Sequence, residues 1–568
     1  MDTLCNQITS PVYYPSKENT WTGVRWSYVE KTIDKLQHRI TKAAERGDKR
    51  KIRNLQHLLT RSYAARLKAV RIVAQENAGK KTPGIDREVW TNPNRKIKES
   101  QALHKKKRTK PLRRIYIPKS NGKQRALGIP CMSDRARQAL WNMALTPFTE
   151  ATSDPHSYGF RPYRDCWDAN AQIRILLDKR NSPEWILDAD IKKCFDTTNH
   201  DWLLTNTPMA KETLKSWLKA GYFEGDHLFP TEEGTPQGGI ISPTLANLTL
   251  NGLEHYLKET FSPGKIQKYY PSGYKNGFKK VETGINVVRY ADDFIITGKS
   301  KRQLERVKKA ITEFLNPRGL KLNEEKTSIR HISEGFEFLG WTFKKYPNNK
   351  LLCKISKNSI SKHKKDLKFN IKTNSKPEIL IPLLNSKIRR WMNYHQCTNG
   401  LWNVWSHMNK YIYERMMKWC RRRHPTKTKK WLYAYYWKSI NNFKTFQYKN
   451  SNENKYILKH YDLQQKKIRT RLSVYINICD LKNKELVRKK VLNKRQTLSS
   501  LKEKLWRKQK SICPSCNYYL TPKDNILDVH HIIPKKEGGS DKLTNLVLVH
   551  EHCHYTIHSN AASKIKNT

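Results

Sequence analysis

The chain has 568 residues, which at roughly 150 per domain predicts three or four domains. It carries 110 Lys and Arg against 50 Asp and Glu, a formal charge of +60, and self-repulsion on that scale needs an anionic partner. An aromatic fraction of 10%, with 16 Trp and 27 Tyr, excludes a disordered basic tail. No run of about 18 apolar residues occurs, and the stretch 1–21 has neither an apolar signal core nor an Arg-rich presequence. The 11 Cys are too scattered for a disulfide framework. Secreted, membrane-embedded and small-metabolite roles are disfavoured.

In chain order, Ile33, Leu36 and Ile40, then Ile52, Leu55, Leu58 and Leu59, recur at helical spacing. Residues from about Tyr28 to Ala78 are therefore predicted helical, with a break at Arg46-Gly47-Asp48-Lys49. From Leu112 to Trp341, short β-rich runs (Arg114–Ile117, Trp185–Ile191, Ile285–Arg289, Phe294–Thr297) alternate with helical stretches, which predicts an α+β domain. Beyond about Leu351 the chain reads as helical again and more basic. Residues 351–450 hold 23 Lys/Arg against 3 Asp/Glu, and residues 451–512 hold 18 against 5, so this region alone carries +33. After Ser511 comes a compact Cys/His-rich module. The expected division is 1–80, 81–345, 346–450, 451–510 and 511–560.

The most specific short motif is Tyr290-Ala291-Asp292-Asp293, flanked by apolar runs that put two adjacent carboxylates in a hairpin turn. Adjacent acids there are costly unless cations neutralise them. A second apolar strand, Trp185–Ile191, delivers Asp190 and is followed by Phe195 and Asp196. The pattern D-I-K-x-x-F-D, followed about a hundred residues later by Y-A-D-D, resembles the palm of reverse transcriptases. That resemblance implies that Asp190, Asp292 and Asp293 hold two Mg²⁺ ions, and that Phe195 is a steric gate favouring deoxynucleotides. Asp188 and Asp196 are expected to be structural. Further blocks follow the family's order. Pro83-Gly84-Ile85-Asp86 comes first, and then Arg114–Lys119 with Gly122–Arg125, where Lys119 and Arg125 would grip the triphosphate. Gly234–Gly239 would put Gln237 near the nascent pair, Gly319–Asn323 is followed by Lys326, which would serve the pyrophosphate, and Phe336–Trp341 resembles a primer grip.

Within that family the chain most resembles group II intron-encoded proteins of the cyanobacterial and organellar kind. The helical extension with Trp21–Trp26 and Tyr63–Arg66, and the basic, Trp-rich region after the palm, carry the resemblance. That region, with Trp391, Trp402, Trp405, Trp419, Trp431 and Trp437, corresponds to a thumb or maturase domain X. Interleaved aromatics and cations suit RNA. The run Arg421-Arg422-Arg423, with Lys427, Lys429 and Lys430, is an expected phosphate-contact patch. Residues 452–510 lie where the family places a DNA-binding segment.

In the terminal module Cys513 and Cys516 form a C-x₂-C knuckle, and His550 and Cys553 offer a second pair 34 residues on. This spacing suits a structural, tetrahedral Zn²⁺. The order His530-His531, Asn545, His554, His558 resembles an HNH nuclease of ββα-metal fold. By that resemblance His530, His554 and His558 bind one divalent ion, His531 is the general base and Asn545 orients its loop. His550 stands where a Cys is usual, and His552 competes with it as fourth ligand. The competing reading is a zinc ribbon that binds DNA without cutting it.

The expected fold is therefore multidomain α+β: a right-hand polymerase with a helical N-terminal extension, a helical basic maturase domain and a C-terminal HNH module. The expected function combines RNA-directed DNA polymerase, maturase and DNA endonuclease in intron mobility. Intron RNA, double-stranded DNA and deoxynucleoside triphosphates are the partners, with no membrane. Localisation would be an organelle that encodes the chain, or a bacterial cytoplasm. The rivals are a splicing-only maturase, a reverse transcriptase of a defence or diversity-generating system, and an RNA-dependent RNA polymerase, the last disfavoured by Phe195.

Overall fold

A computed structural model of the chain describes residues 21, 23–105, 108–118, 122, 124–262, 265–269, 275–280, 283–371, 375–440, 443–451, 453–462, 471–493, 500–516, 520, 527–551, 553–554 and 557–558. The apolar stripe at its start becomes helix α1 (Trp26–Glu45), which buries Trp26, Val29, Ile33, Leu36 and Ile40, the i, i+3, i+4 face of an amphipathic helix. Gly47 at φ 69° makes the expected break. The Asp48 carboxylate then caps α2 (Lys49–Arg61) by accepting from the Lys51 amide. These helices and α3 (Tyr63–Arg71) pack on the long α4 (Met132–Thr152) in one core that also takes in Trp90, Ile97 and Leu103. The extension thus runs past the expected boundary at residue 80, because those apolar side chains have nowhere else to be buried.

Strands β1 (Leu112–Pro118) and β2 (Gln124–Ile129) form a hairpin. After β3 (Trp185–Asp190), which lies elsewhere, the chain adds β4 (Tyr222–Glu224), parallel to β1, and β5 (His227–Phe229) to this hairpin. The central sheet is antiparallel, with order β8-β3-β7-β6: β8 is Ser328–His331, β3 Trp185–Asp190, β7 Asp293–Gly298 and β6 Asn286–Tyr290. The continuous apolar runs predicted as strands are buried between layers. Helix α6 (Lys301–Leu315) inserts Leu304, Val307, Ile311 and Phe314 against Leu187, Phe294 and Ile296. The other face meets α5 (Cys166–Leu177) and the sheet β9 (Phe336–Phe338), β10 (Trp341–Lys345) and β11 (Leu351–Ile355).

After β11 come α7 (Lys357–Asn370), α8 (Pro377–His395), α9 (Leu401–Arg423) and α10 (Lys429–Tyr436), which share a core with Trp405, Trp419 and Trp437. The reading of this region as helical throughout needs correction. Strands β12 (Trp437–Ile440), β13 (Phe443–Lys449) and β14 (Lys455–Ile457) close it, with Trp437 paired to Phe446 across the ladder. Tyr461 also belongs to this core, so the expected boundary at 450 cuts through a sheet. The region 451–510 is likewise not one basic unit. Residues 471–493 run back against α1 and α5, while α11 (Ser500–Lys508) gives Leu505 and Trp506 to the terminal module, under β15 (Leu527–His531) and β16 (Leu546–His550).

Candidate functional site

The register of the central sheet builds an acidic cluster. Asp190, the last residue of β3, lies opposite Asp293, the first of β7. Tyr290 of β6 also pairs with Asp293, leaving Ala291-Asp292 as a two-residue turn. Ala291 takes φ 60°, a conformation a side-chain-bearing residue holds only when its surroundings enforce it. Gly159 passes directly beneath, where a Cβ would sit 2.2 Å from the Ala291 nitrogen. Asn247 Nδ2 donates to the Gly159 carbonyl at 2.9 Å. Arg289 Nη1 donates both to Asn247 Oδ1 and to the Ala291 carbonyl, each at 3.3 Å. Arg289 is buried, and desolvation pulls its guanidinium down to about 10 against the opposing pull of Asp154. The motif alone did not disclose Arg289, Asn247 or Gly159. A cation inside an otherwise apolar strand, one residue before the motif, was the available signal.

The cluster is electrostatically loaded. Burial, then Asp292 and Asp190, raise Asp293 to about 7. Burial and Asp190 raise Asp292 as well. Asp188 rises to about 6, chiefly through burial, with Arg330 pulling it back down. Lys326 Nζ stands 2.8 Å from Asp190 Oδ2, and Asn323 Nδ2 donates to the same oxygen at 2.9 Å. Carboxylates gathered at one end of a sheet with so little compensation are the kind of group that divalent cations neutralise.

Beside it the other expected side chains converge. Arg125 Nε donates to Gln237 Oε1 at 2.8 Å, and Gln237 Nε2 donates to Asp196 Oδ1 at 2.8 Å. Asp196 thus aims Gln237 rather than merely supporting the fold. Phe195 meets Phe160 edge-on at 6.1 Å. Gly234 crosses the Asp196 carbonyl, where a Cβ would lie 2.6 Å away. A cleft of about 230 Å³ between these groups is lined by Phe195, Gln237, Arg114 and Tyr222. Lys119 lies outside the described residues.

A second centre occupies the terminal module. The ligand atoms of Cys513, Cys516, His550 and Cys553 lie within 4.8 Å of one another, as do those of His530, His554 and His558. His550 Nδ1 is 3.5 Å from Cys516 Sγ and 3.8 Å from Cys553 Sγ. The Cys513 thiol is pulled far below its usual range, first by the sulfur of Cys516 and then by that of Cys553. Three sulfurs and one imidazole turned onto one point fit a tetrahedral zinc site. His552, the rival ligand, lies outside the described residues. His554 and His558 approach each other at 3.2 Å and both face His530. His531 Nε2 pairs with Asp541 Oδ1 at 2.8 Å, an orienting carboxylate absent from the expected set. Asn545 donates to the carbonyls of Ile533 and Ser540, each at 3.0 Å, and accepts from the Ile533 amide at 2.8 Å, which fixes the loop after His531. Asp528 Oδ2 backs His554 Nδ1 at 3.5 Å.

Four family models match in chain order. They are the N-terminal domain of reverse transcriptase over residues 21–103, reverse transcriptase (RNA-dependent DNA polymerase) over 117–343, the group II intron maturase-specific domain over 360–437, and HNH endonuclease over 513–560. Protein YkfC of Escherichia coli (strain K12) is 35% identical over 250 residues, covering 40% of this chain and 66% of that one. The group II intron-encoded protein LtrA of Lactococcus lactis subsp. cremoris is 31% identical over 333 residues, covering 50% and 53%. A putative COX1/OXI3 intron 1 protein of Saccharomyces cerevisiae is 29% identical over 273 residues, covering 41% and 32%. The matches thus span from a third to just under two thirds of these relatives. Among solved structures, telomerase from Candida albicans aligns over 58% of this chain and 65% of that one at 11% identity, with a TM-score of 0.34, too loose a likeness to bear on the fold. With an intron-encoded relative at 31% identity and reverse transcriptase, maturase and HNH models matched in series, the chain belongs to the group II intron-encoded reverse transcriptase/maturase proteins that carry an HNH domain.

Proposed function

We propose that the chain is an RNA-directed DNA polymerase, a maturase for its intron RNA and an HNH endonuclease acting on a DNA target. On this reading the central sheet is a palm, the β1–β2 hairpin with its neighbours the fingers, and helices α7–α10 the thumb. The observation that carries it is the convergence of Asp190, Asp292 and Asp293, with Phe195, Gln237 and Arg125 alongside.

Asp190, Asp292 and Asp293 would hold two Mg²⁺ ions, whose chemistry in such a site is activation of a primer 3′-hydroxyl and stabilisation of the departing pyrophosphate. Arg125 and Lys119 bind the triphosphate oxygens, and the Arg125–Gln237–Asp196 chain keeps Gln237 against the nascent pair. Phe195 excludes a 2′-hydroxyl by its bulk. Lys326, hydrogen-bonded to Asp190, is charged and placed to transfer a proton to the leaving group. In the terminal module, of ββα-metal type on this reading, a structural Zn²⁺ held by Cys513, Cys516, His550 and Cys553 staples the chain. One divalent ion on His530, His554 and His558 would place charge at the scissile phosphate. His531, oriented by Asp541, takes the proton from the attacking water, and Asn545 keeps its loop in place.

The partners are the intron RNA, a double-stranded DNA target and deoxynucleoside triphosphates. No described helix is long and apolar enough to cross a membrane. The site of action is an organelle or a bacterial cytoplasm, in line with bacterial and yeast intron-encoded relatives. Separation of function tests the reading. Asp292→Ala with Asp293→Ala should abolish DNA synthesis on an RNA template yet leave intron splicing intact. His531→Ala should remove DNA nicking alone. A wild-type chain that splices but neither copies RNA nor nicks DNA would establish the splicing-only alternative instead.

A further inference from the structure

Beside the acidic turn one bulky residue stands in a strained conformation to which the polymerase chemistry gives no task. Phe160 takes φ 59°, a region an aromatic side chain enters only when its neighbours enforce it. Its side chain is 48% exposed, so burial of the ring is not what holds it there. The backbone is instead fixed from both sides. Before Phe160 the chain runs along β6: the Tyr158 amide donates to the Arg289 carbonyl at 2.9 Å, and the Arg289 amide donates to the His156 carbonyl at 3.0 Å. Gly159 then passes under Ala291, its carbonyl held by Asn247. After Phe160, the buried Arg161 grips both carboxylate oxygens of the buried Glu150, at 2.9 and 3.0 Å. Its Nη1 also donates to the carbonyls of Asp154 and Ser157, at 3.1 and 3.0 Å.

This frame presents the Phe160 ring edge-on to Phe195, with centroids 6.1 Å apart and planes at 74°. The tilt sets the positive edge of one ring toward the negative face of the other. The backbone of Phe195 is already tied, its carbonyl accepting from the Thr235 amide at 2.6 Å. Its ring is only half-buried, and two side-chain torsions are left to fix. A wall that rejects one hydroxyl has to keep its rotamer when that hydroxyl arrives, which takes packing from a second side chain. Phe195 lines the cleft of about 230 Å³ and Phe160 does not, so Phe160 bears on a nucleotide there through Phe195.

We propose that Phe160 is a positioning residue for sugar discrimination, bracing the Phe195 ring against the 2′ side of an incoming nucleotide. This rests on the reading of Phe195 as the wall that excludes a 2′-hydroxyl, and names what holds that wall in place. Gly159 supports the Ala291-Asp292 turn and Phe160, the next residue, supports Phe195. One frame, clamped by Arg161 and Glu150, therefore sets both the carboxylates and the choice of sugar.

Single-nucleotide extension of a DNA primer on an RNA template by the full chain, with dCTP or CTP, tests it. Phe195→Ala should raise kcat/KM for CTP about a hundredfold, the scale on which an apolar wall rejects an added hydroxyl. Phe160→Ala should raise it about tenfold, or about 1.4 kcal/mol, within reach of one edge-on aromatic pair. A damaged fold would instead lower the use of CTP and dCTP together. Phe160→Asn removes the ring but suits a positive φ, and should match Phe160→Ala. Phe160→Tyr keeps the edge contact and should retain the exclusion of CTP. With Phe195→Ala in place, adding Phe160→Ala should change CTP use less than about twofold, because the two act as one unit. CTP use that is unchanged or lowered in Phe160→Ala or Phe160→Asn, or a gain that adds to that of Phe195→Ala, overturns the role of Phe160 and leaves Phe195 as the wall. A Phe195→Ala chain that still excludes CTP overturns both.

Discussion

At residue scale, Arg289 ties the acidic turn to the rest of the sheet. It is 2% exposed, and its guanidinium spans the Ala291 carbonyl and Asn247, which in turn holds Gly159 under the turn. Removing it leaves at least one buried acceptor without its donor, a loss of about 1–3 kcal/mol, and frees the Ala291 turn from its strained conformation. Arg289→Met should therefore lower DNA synthesis about tenfold or more and raise the Mg²⁺ concentration for half-maximal rate, with KM for template and primer unchanged. Arg289→Lys, which restores the charge and one donor, should recover part of the rate. A uniform loss in both variants with no shift in Mg²⁺ dependence would assign Arg289 to folding alone. Sequence made the carboxylates legible, because apolar runs on both sides leave a hairpin turn as the place for Asp292 and Asp293. Arg289 was not legible as their support. Its partner Asn247 lies 42 residues away in the chain, and a lone Arg beside a turn reads equally well as a solvated cation.

At the scale of elements, the helical extension and the central strands were legible from periodicity, whereas the sheet β12–β13–β14 was not. The aromatics Phe443, Phe446 and Tyr448 are spaced three and then two residues apart, so neither helix nor strand periodicity wins locally. Pairing of Trp437 with Phe446, and the stack of Tyr436 on Phe446 at 5.1 Å, decide for the strand. The same region is locked to α7 by His363, whose Nε2 meets the Tyr461 hydroxyl at 2.7 Å and whose ring stacks on Trp391 at 4.3 Å. Burial pulls His363 down to about 4, with Asp366 opposing and Lys387 adding to the fall. A histidine lowered in the folded state contributes stability that is complete above its unfolded value near 6.5 and lost as pH falls through about 4. Urea unfolding followed by Trp fluorescence should therefore show a loss on the order of 3 kcal/mol between pH 6.5 and 4 from this group, and His363→Gln should flatten that slope. The terminal module has a different dependence. Its core is small, with Leu505, Trp506, Leu546 and Leu548 around Cys513 and Cys553, too little apolar area to hold a fold unaided. A strong zinc chelator, or Cys513→Ser, should red-shift Trp506 emission and abolish nicking while RNA-templated synthesis continues.

At the scale of the whole molecule, the excess of positive charge is not all turned outward. Part of the segment expected to be a basic DNA-binding region serves as a strap. Arg164, itself buried, donates to the carbonyls of Leu472 and Ser473 at 2.9 Å each and to that of Ile476 at 3.3 Å. Asn477 donates to the Pro147 carbonyl at 3.3 Å. Asp480 pairs with Lys42 at 2.7 Å and with His38 at 3.2 Å, and Lys484 reaches Asp34. The last anchor is Lys490, whose Nζ lies 2.6 Å from Asp168 with both side chains 6% exposed. Burial pushes each partner toward its neutral form, lowering Lys490 and raising Asp168. Such a pair contributes little by existing, yet breaking one side of it leaves an uncompensated buried charge, at about 3–5 kcal/mol. Lys490→Met should accordingly loosen the strap, and limited trypsin digestion should cut within residues 471–493 at least tenfold faster than in the wild type. Adding Asp168→Asn removes the stranded charge while keeping the acceptor for the Asp165 amide, so the double variant should recover most of the resistance. If the strap couples the nuclease to the polymerase, Lys490→Met will also uncouple nicking from DNA synthesis on a target duplex, leaving each activity intact on its own substrate. Equal proteolysis of Lys490→Met and wild type would show instead that the other anchors hold the segment without this pair.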